Sequence, residues 1–183
     1  MMSISFARNL NAIAAILLCG VLGGAFAAQF IGQEMPCPLC LLQRIAMLGV
    51  ATGALINVRF GPSTGGYGVS LLSALFGACV SARQILLHIL PGDPGYGVPV
   101  FGMQLYTWAL VVFLITLLLG SAMLLPASQF REPPRPRPLS SLHKLAFFLV
   151  LVIAAGNALA TFAECGPGIC PANPASYRLL DNS

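Results

Sequence analysis

The sequence predicts an all-α integral membrane protein, and three observations carry that prediction. The 183 residues are 57% hydrophobic and only 8% charged, whereas a soluble domain carries roughly a quarter charged residues. Five apolar runs are long enough to cross a bilayer as helices, which takes about 20 residues each. The connections between the runs also segregate their basic residues, as membrane topology requires. The length suits one compact unit.

The first run covers residues 10–30, behind Arg8. Arg8, the apolar stretch and Ala25-Phe26-Ala27 also resemble a cleavable signal peptide, but the run exceeds the usual apolar region of about 7–15 residues. The second run covers residues 40–58 and stops before Arg59. The third, fourth and fifth cover residues 69–90, 105–125 and 145–162. The connections are short except for 129–144, whose prolines and arginines read as a solvated, partly extended linker. The expected division is a four-helix core over 1–128, the linker over 129–144, a fifth membrane helix over 145–163 and a tail over 164–183.

Arg8, Arg59, Arg131, Arg135, Arg137 and Lys144 fall on one side of this topology, and Arg44, Arg83 and Arg178 on the other. Six against three makes the first side cytoplasmic, with the N-terminus inside. Cys37, Cys40, Cys165 and Cys170 then all face outward, where disulfides form and persist. Charge and cysteine placement are independent arguments, and they agree. Tyr96, Tyr106 and Trp108 cluster near the same boundary, as interfacial aromatics do.

The most informative stretch is Met35-Pro36-Cys37-Pro38-Leu39-Cys40-Leu41-Leu42-Gln43-Arg44. If Pro38 opens the helix, where its missing N–H costs nothing, Cys40 and Arg44 lie one turn apart on one face. Cysteines at this spacing can reach the Cα separation of about 4.4–6.8 Å that a disulfide needs. The helix N-terminus and the guanidinium both favour a thiolate. Cys-x-x-Cys alone leaves metal binding, a structural disulfide and redox chemistry open. In the tail, Glu164-Cys165-Gly166-Pro167-Gly168-Ile169-Cys170-Pro171 favours a tight turn that brings Cys165 and Cys170 together. Spacing also allows the four outer cysteines to form one tetrathiolate metal site, although the oxidising side and the nearby arginine argue against it. Cys19 and Cys79 read as small packing residues in mid-membrane. The chain has no nucleotide-binding motif, phosphate loop or Cys-x-x-Cys-His haem attachment, and no nucleic-acid partner is expected.

The run Pro36 to Arg44 resembles the signature of the DsbB family, the disulfide bond formation protein B quinone reductases. The resemblance continues in Ala82-Arg83-Gln84, Leu87-His88 and Pro91, and spans roughly the first 125 residues. It implies a four-helix bundle, multi-pass in the bacterial inner membrane. The bundle would take electrons from a DsbA-like periplasmic thiol oxidase of thioredoxin fold and pass them to the membrane quinone pool, ubiquinone or menaquinone. By position, Cys37 and Cys40 match the quinone-proximal pair, with Cys40 acting on the quinone. Arg44 matches the arginine that polarises a quinone carbonyl, and His88 falls where the family places a further quinone-contacting group. The family's second cysteine pair lies between the third and fourth helices, but residues 91–104 contain no cysteine. Cys165 and Cys170, behind the fifth helix, are the expected replacement. Electrons would then run from the partner to Cys165–Cys170, to Cys37–Cys40 and to quinone, each thiol step being an exchange. The competing readings are the same parts run as a quinone or vitamin K-type reductase, a scaffold with two structural disulfides, and the metal module.

Overall fold

The computed structural model describes residues 3–168, 170 and 176–179. Among them, five helices are long and apolar enough to cross a membrane: α1 (Ile4–Phe30), α2 (Pro38–Phe60), α3 (Thr64–Leu87), α4 (Leu105–Leu124) and α5 (Ser141–Cys165). The all-helical membrane class expected from the sequence is what the chain adopts. The helices reach beyond the apolar runs wherever polar residues cap them. Ser3, Ser63 and Ser140 each place a side-chain oxygen on the first-turn amides of α1, α3 and α5, satisfying N–H groups that a helix start leaves open.

α2 is the hub. It packs on α1, α3 and α5 and touches α4, while α5 rests mainly on α1 and α2. Ala12, Ala15, Leu18, Leu22, Met47, Val50, Ala51 and Phe113 form the centre of the core. Leu72, Leu118, Leu151 and Leu159 point outward, as a lipid-facing surface requires. Helices in lipid associate through close packing rather than apolar burial. At Gly53 of α2, any side chain would strike Ser70 and the Gly66 backbone of α3. At Gly77 it would strike the ring of Phe113 on α4.

One end of the bundle holds a closed polar network. Arg8, expected as a flank of the first span, lies inside α1 and is buried. It donates to the carbonyls of Val58 (2.8 Å) and Pro138 (2.7 Å). Asn57, fully buried, donates to Asn11 Oδ1 (3.1 Å) and accepts from the Ser63 amide (3.0 Å). Asn11 reaches Tyr67, which donates to Gln129. Within the expected 129–144 linker only residues 133–140 are extended, because α5 already begins at Ser141, and this stretch is strapped down rather than free. The amides of Arg135 and Arg137 donate to the carbonyls of Phe60 and Arg59 (both 2.9 Å). Cys19 is in the core, whereas Cys79 is exposed on the outer face of α3 rather than packed inside.

Candidate functional site

The opposite end carries the cysteines. Pro38 occupies the first turn of α2, and the residue capping it is Cys37, whose sulfur accepts from the Cys40 amide at 3.2 Å. The helix start therefore holds one sulfur over the amide of the other cysteine. Gln84 of α3 reaches both: its Nε2 lies 3.2 Å from Cys37 Sγ and 3.6 Å from Cys40 Sγ. Gln43 fixes Gln84 in turn, donating to its Oε1 at 2.9 Å. Both cysteines are free thiols, Cys37 buried and Cys40 half-buried. The hydrogen bond with Cys40, and then burial, push the Cys37 thiol up.

Arg44 lies one turn beyond Cys40 and is 7% exposed. The last two turns of α1 hold it. It donates to Gln29 Oε1 (2.6 Å) and to the Ala25 carbonyl (3.0 Å), with its guanidinium carbon 5.2 Å above the Phe26 ring. These bonds use two of the five N–H donors of a guanidinium. Cys40 and Arg44 both line a cavity of about 470 Å³, walled by Leu22 and Ala28 of α1, Met47 of α2, and Tyr106 and Trp108 of α4. The loop between α3 and α4 roofs it. Tyr96 donates to the Met35 carbonyl (2.7 Å), the Val98 amide to Glu34 (3.0 Å) and the Trp108 indole to the Val100 carbonyl (2.9 Å). Burial under this roof pushes the Tyr96 phenol up to about 12.

His88 ends α3 and does not line the cavity. Its Nδ1 sits 3.1 Å from Asp93, and its ring stacks on Tyr106 at 5.8 Å. The Gly95 amide and His88 hold the Asp93 carboxyl below its usual range. His88 thus borders the cavity through Tyr106.

Cys165 and Cys170 form a disulfide with Cα atoms 4.5 Å apart. Cys165 is the last residue of α5 and is 4% exposed, while Cys170 is half-buried. Residues 176–179 lie back against the end of α5. The Arg178 and Leu179 amides donate to the carbonyls of Glu164 and Ala163, and the Tyr177 hydroxyl accepts from Gln29 at 3.2 Å. A polar chain, Arg44–Gln29–Tyr177, therefore joins the dithiol site to the tail. The expected travel of the tail over residues 171–183 lies mostly outside the described residues; residues 176–179 are tied to α1 and α5. Among the described residues no three of His, Cys, Asp and Glu come together as metal ligands.

Sequence reasoning did not single out Gln84, Gln29, Tyr96 or Glu164 for the site. The glutamines had a readable signal, since an amide inside an apolar run needs a partner. That the partner would be a sulfur or a guanidinium depends on tertiary packing.

A dithiol kept beside a cation and an apolar cavity within a membrane bundle is equipment suited to a membrane thiol oxidoreductase. Residues 7–96 match the family Disulfide bond formation protein DsbB. Disulfide bond formation protein B of Pseudomonas syringae pv. tomato is 33% identical over 157 residues, covering 66% of this chain and 88% of that protein. Disulfide bond formation protein B 1 of Pseudomonas savastanoi pv. phaseolicola is 30% identical over 157 residues, with the same coverage. Disulfide bond formation protein B of Chromobacterium violaceum is 41% identical over 85 residues, 44% of this chain and about half (51%) of that protein's length. No solved structure matches the chain significantly. The chain belongs to the DsbB family.

Proposed function

We propose that this chain is a thiol:quinone oxidoreductase of the bacterial inner membrane that reoxidises a DsbA-like, thioredoxin-fold thiol oxidase in the periplasm. The observation that carries this reading is that Cys40 and Arg44 line one apolar cavity, with Gln84 bonded to the cysteine sulfurs. The cavity, about 470 Å³, falls in the usual range of about 300–1,000 Å³ for small-molecule sites. Its apolar walls and single cation suit the head of a lipid-soluble quinone, ubiquinone or menaquinone. Bound there, a quinone supplies an acceptor for two electrons and two protons. Arg44 orients a carbonyl oxygen and stabilises the charge that develops on it in a low-dielectric site. Cys40 delivers the electron pair, and Cys37 closes the disulfide with it. His88 steadies Tyr106 at the cavity edge rather than touching the acceptor.

The basic residues at the opposite end favour a cytoplasmic N-terminus and periplasmic cysteines. In this reading residues 1–128 are the quinone-reducing core, 129–144 a cytoplasmic strap, 145–163 the added helix and 164–183 a periplasmic tail. The tail pair shuttles electrons from the partner. Cys170 is the more exposed residue of the pair, so the partner attacks there and releases Cys165 at the end of α5. The burial of Cys165 (4% exposed) favours a second reading, in which the pair staples the tail.

Reduced partner should bleach quinone absorbance in the presence of the purified protein, and Cys40→Ala should abolish the bleaching. Bleaching that survives Cys40→Ala rejects the proposal. In Cys165→Ser/Cys170→Ser, the shuttle reading predicts loss of partner oxidation, with oxidation of a small dithiol retained. Unchanged partner oxidation assigns the pair to stapling.

A further inference from the structure

α5 brings an acid to this site. Glu164 is 1% exposed, and neither of its carboxyl oxygens has a hydrogen-bond partner among the described residues. It lies within charge–charge range of Arg44 and Cys40. Two further oxygens on the same helix are buried and unpartnered, Asn157 Oδ1 and Thr161 Oγ1. Positions 157, 161 and 164 are four and three residues apart, which puts them on one face of α5. Buried polar groups almost always find a partner. Three side chains with four open oxygens on one face, ending at a buried carboxyl at the dithiol's end of the bundle, suit a group whose partner is a transferable proton.

We propose that Glu164 is the proton-relay residue of the Cys40–Arg44 centre, taking up the Cys40 proton when the dithiol is reduced and releasing it when the dithiol is oxidised. The inference rests on the proposed quinone reduction for the destination of the proton. In the first step the Cys40 S–H bond breaks and the Glu164 O–H bond forms, leaving a thiolate and a neutral acid. In the second, the Cys37–Cys40 S–S bond forms and the electron pair leaves to the quinone. The Cys37 proton and the Glu164 proton follow to the two quinone oxygens, and Glu164 returns to a carboxylate. Two electrons and two protons leave the protein.

The charged and titratable groups facing Glu164 are Arg44 and Cys40 from α2 and Tyr96 from the roof loop, while the returning tail bonds its backbone carbonyl through the Arg178 amide. From α1, Gln29 bonds both Arg44 and the Tyr177 hydroxyl. Arg44 keeps the carboxylate tolerable in the oxidised protein. A thiolate at Cys40 in the reduced protein favours the neutral acid, because two like charges would otherwise share one guanidinium.

The test is an infrared difference spectrum of the full-length protein, reduced minus oxidised, recorded without quinone. Wild type should gain a protonated-carboxyl band on reduction. Glu164→Gln should lack that band, and Glu164→Asp, which keeps the acid, should show it shifted. With quinone, Glu164→Gln should slow turnover by about 100-fold, in the range of a lost proton-transfer group, and should alter the pH–rate profile. An unchanged carboxyl region in wild type overturns the relay, as does a wild-type pH profile in Glu164→Gln. Should wild type fail to reduce quinone, the functional reading falls, while the infrared comparison still decides whether Glu164 takes the proton.

Discussion

The bundle buries an arginine at each end, and the two are treated differently. Arg8 is bonded to two backbone carbonyls and sits beside a network in which Asn11, Asn57, Ser63, Tyr67 and Gln129 satisfy one another. Arg44 is also anchored, but it faces a cavity, and its half of the bundle holds most of the open polar atoms. Among the described residues, the buried side-chain atoms without partners are in Ser81, Gln104, Asn157, Thr161 and Glu164 at the cysteine end, against Arg137 Nε alone at the other. A closed network in low dielectric rigidifies a fold, whereas open groups there are costly and persist where something else must bind. The Arg8 end is architecture. The Arg44 end is arranged for chemistry.

That contrast can be broken from either side. The largest expected effect on stability is at the closed end. Asn57→Ala strands Asn11 and the Ser63 amide and should cost about 2–3 kcal/mol in unfolding. Thermal unfolding in detergent reads this loss, while turnover of the folded fraction stays unchanged; a specific loss of turnover would place the closed network in the chemistry. Gln84→Leu, at the open end, keeps the volume but removes the hydrogen bond to both sulfurs. Dithiol-driven turnover should fall about tenfold, the equivalent of roughly 1.4 kcal/mol for one lost hydrogen bond. A drop in stability without a change in rate would make Gln84 structural.

The smallest effect is at the roof. The Asp93 carboxyl is held low by the Gly95 amide and His88. A depressed carboxyl stabilises the ordered loop above its unfolded value and loses that contribution as the pH falls through the folded value. Asp93→Asn should therefore mimic acid conditions at neutral pH. Because the pair is exposed, the change in the quinone KM should be no more than about twofold. A larger change would bring His88 into the acceptor site itself.

The membrane class and the five spans were legible because apolar length and charge segregation report them directly. What could not be read lay at the helix ends. Ile4 to Asn9, Thr64 to Gly68 and Ser141 to Lys144 lie outside the apolar runs or are too polar or too rich in glycine for hydropathy to reveal, yet all are helical. Gly66, in such a stretch, lies against Asn57, so the residues that looked like loop build the closed network. The Cys37–Cys40–Arg44 spacing was legible because it lies within one helix start and needs no tertiary information. The support from Gln29, Gln84 and Glu164 comes from three other helices, and although an amide in an apolar run signals a need for a partner, nothing local says which partner it finds.

The central claim concerns Arg44, and single-turnover reduction of quinone by the reduced protein tests it directly. With Arg44→Gln, loss of a preorganised cation at the site of developing charge should slow the step about 100-fold or more, with Cys37 and Cys40 still cycling against a soluble dithiol. Reduction at the wild-type rate would contradict the account.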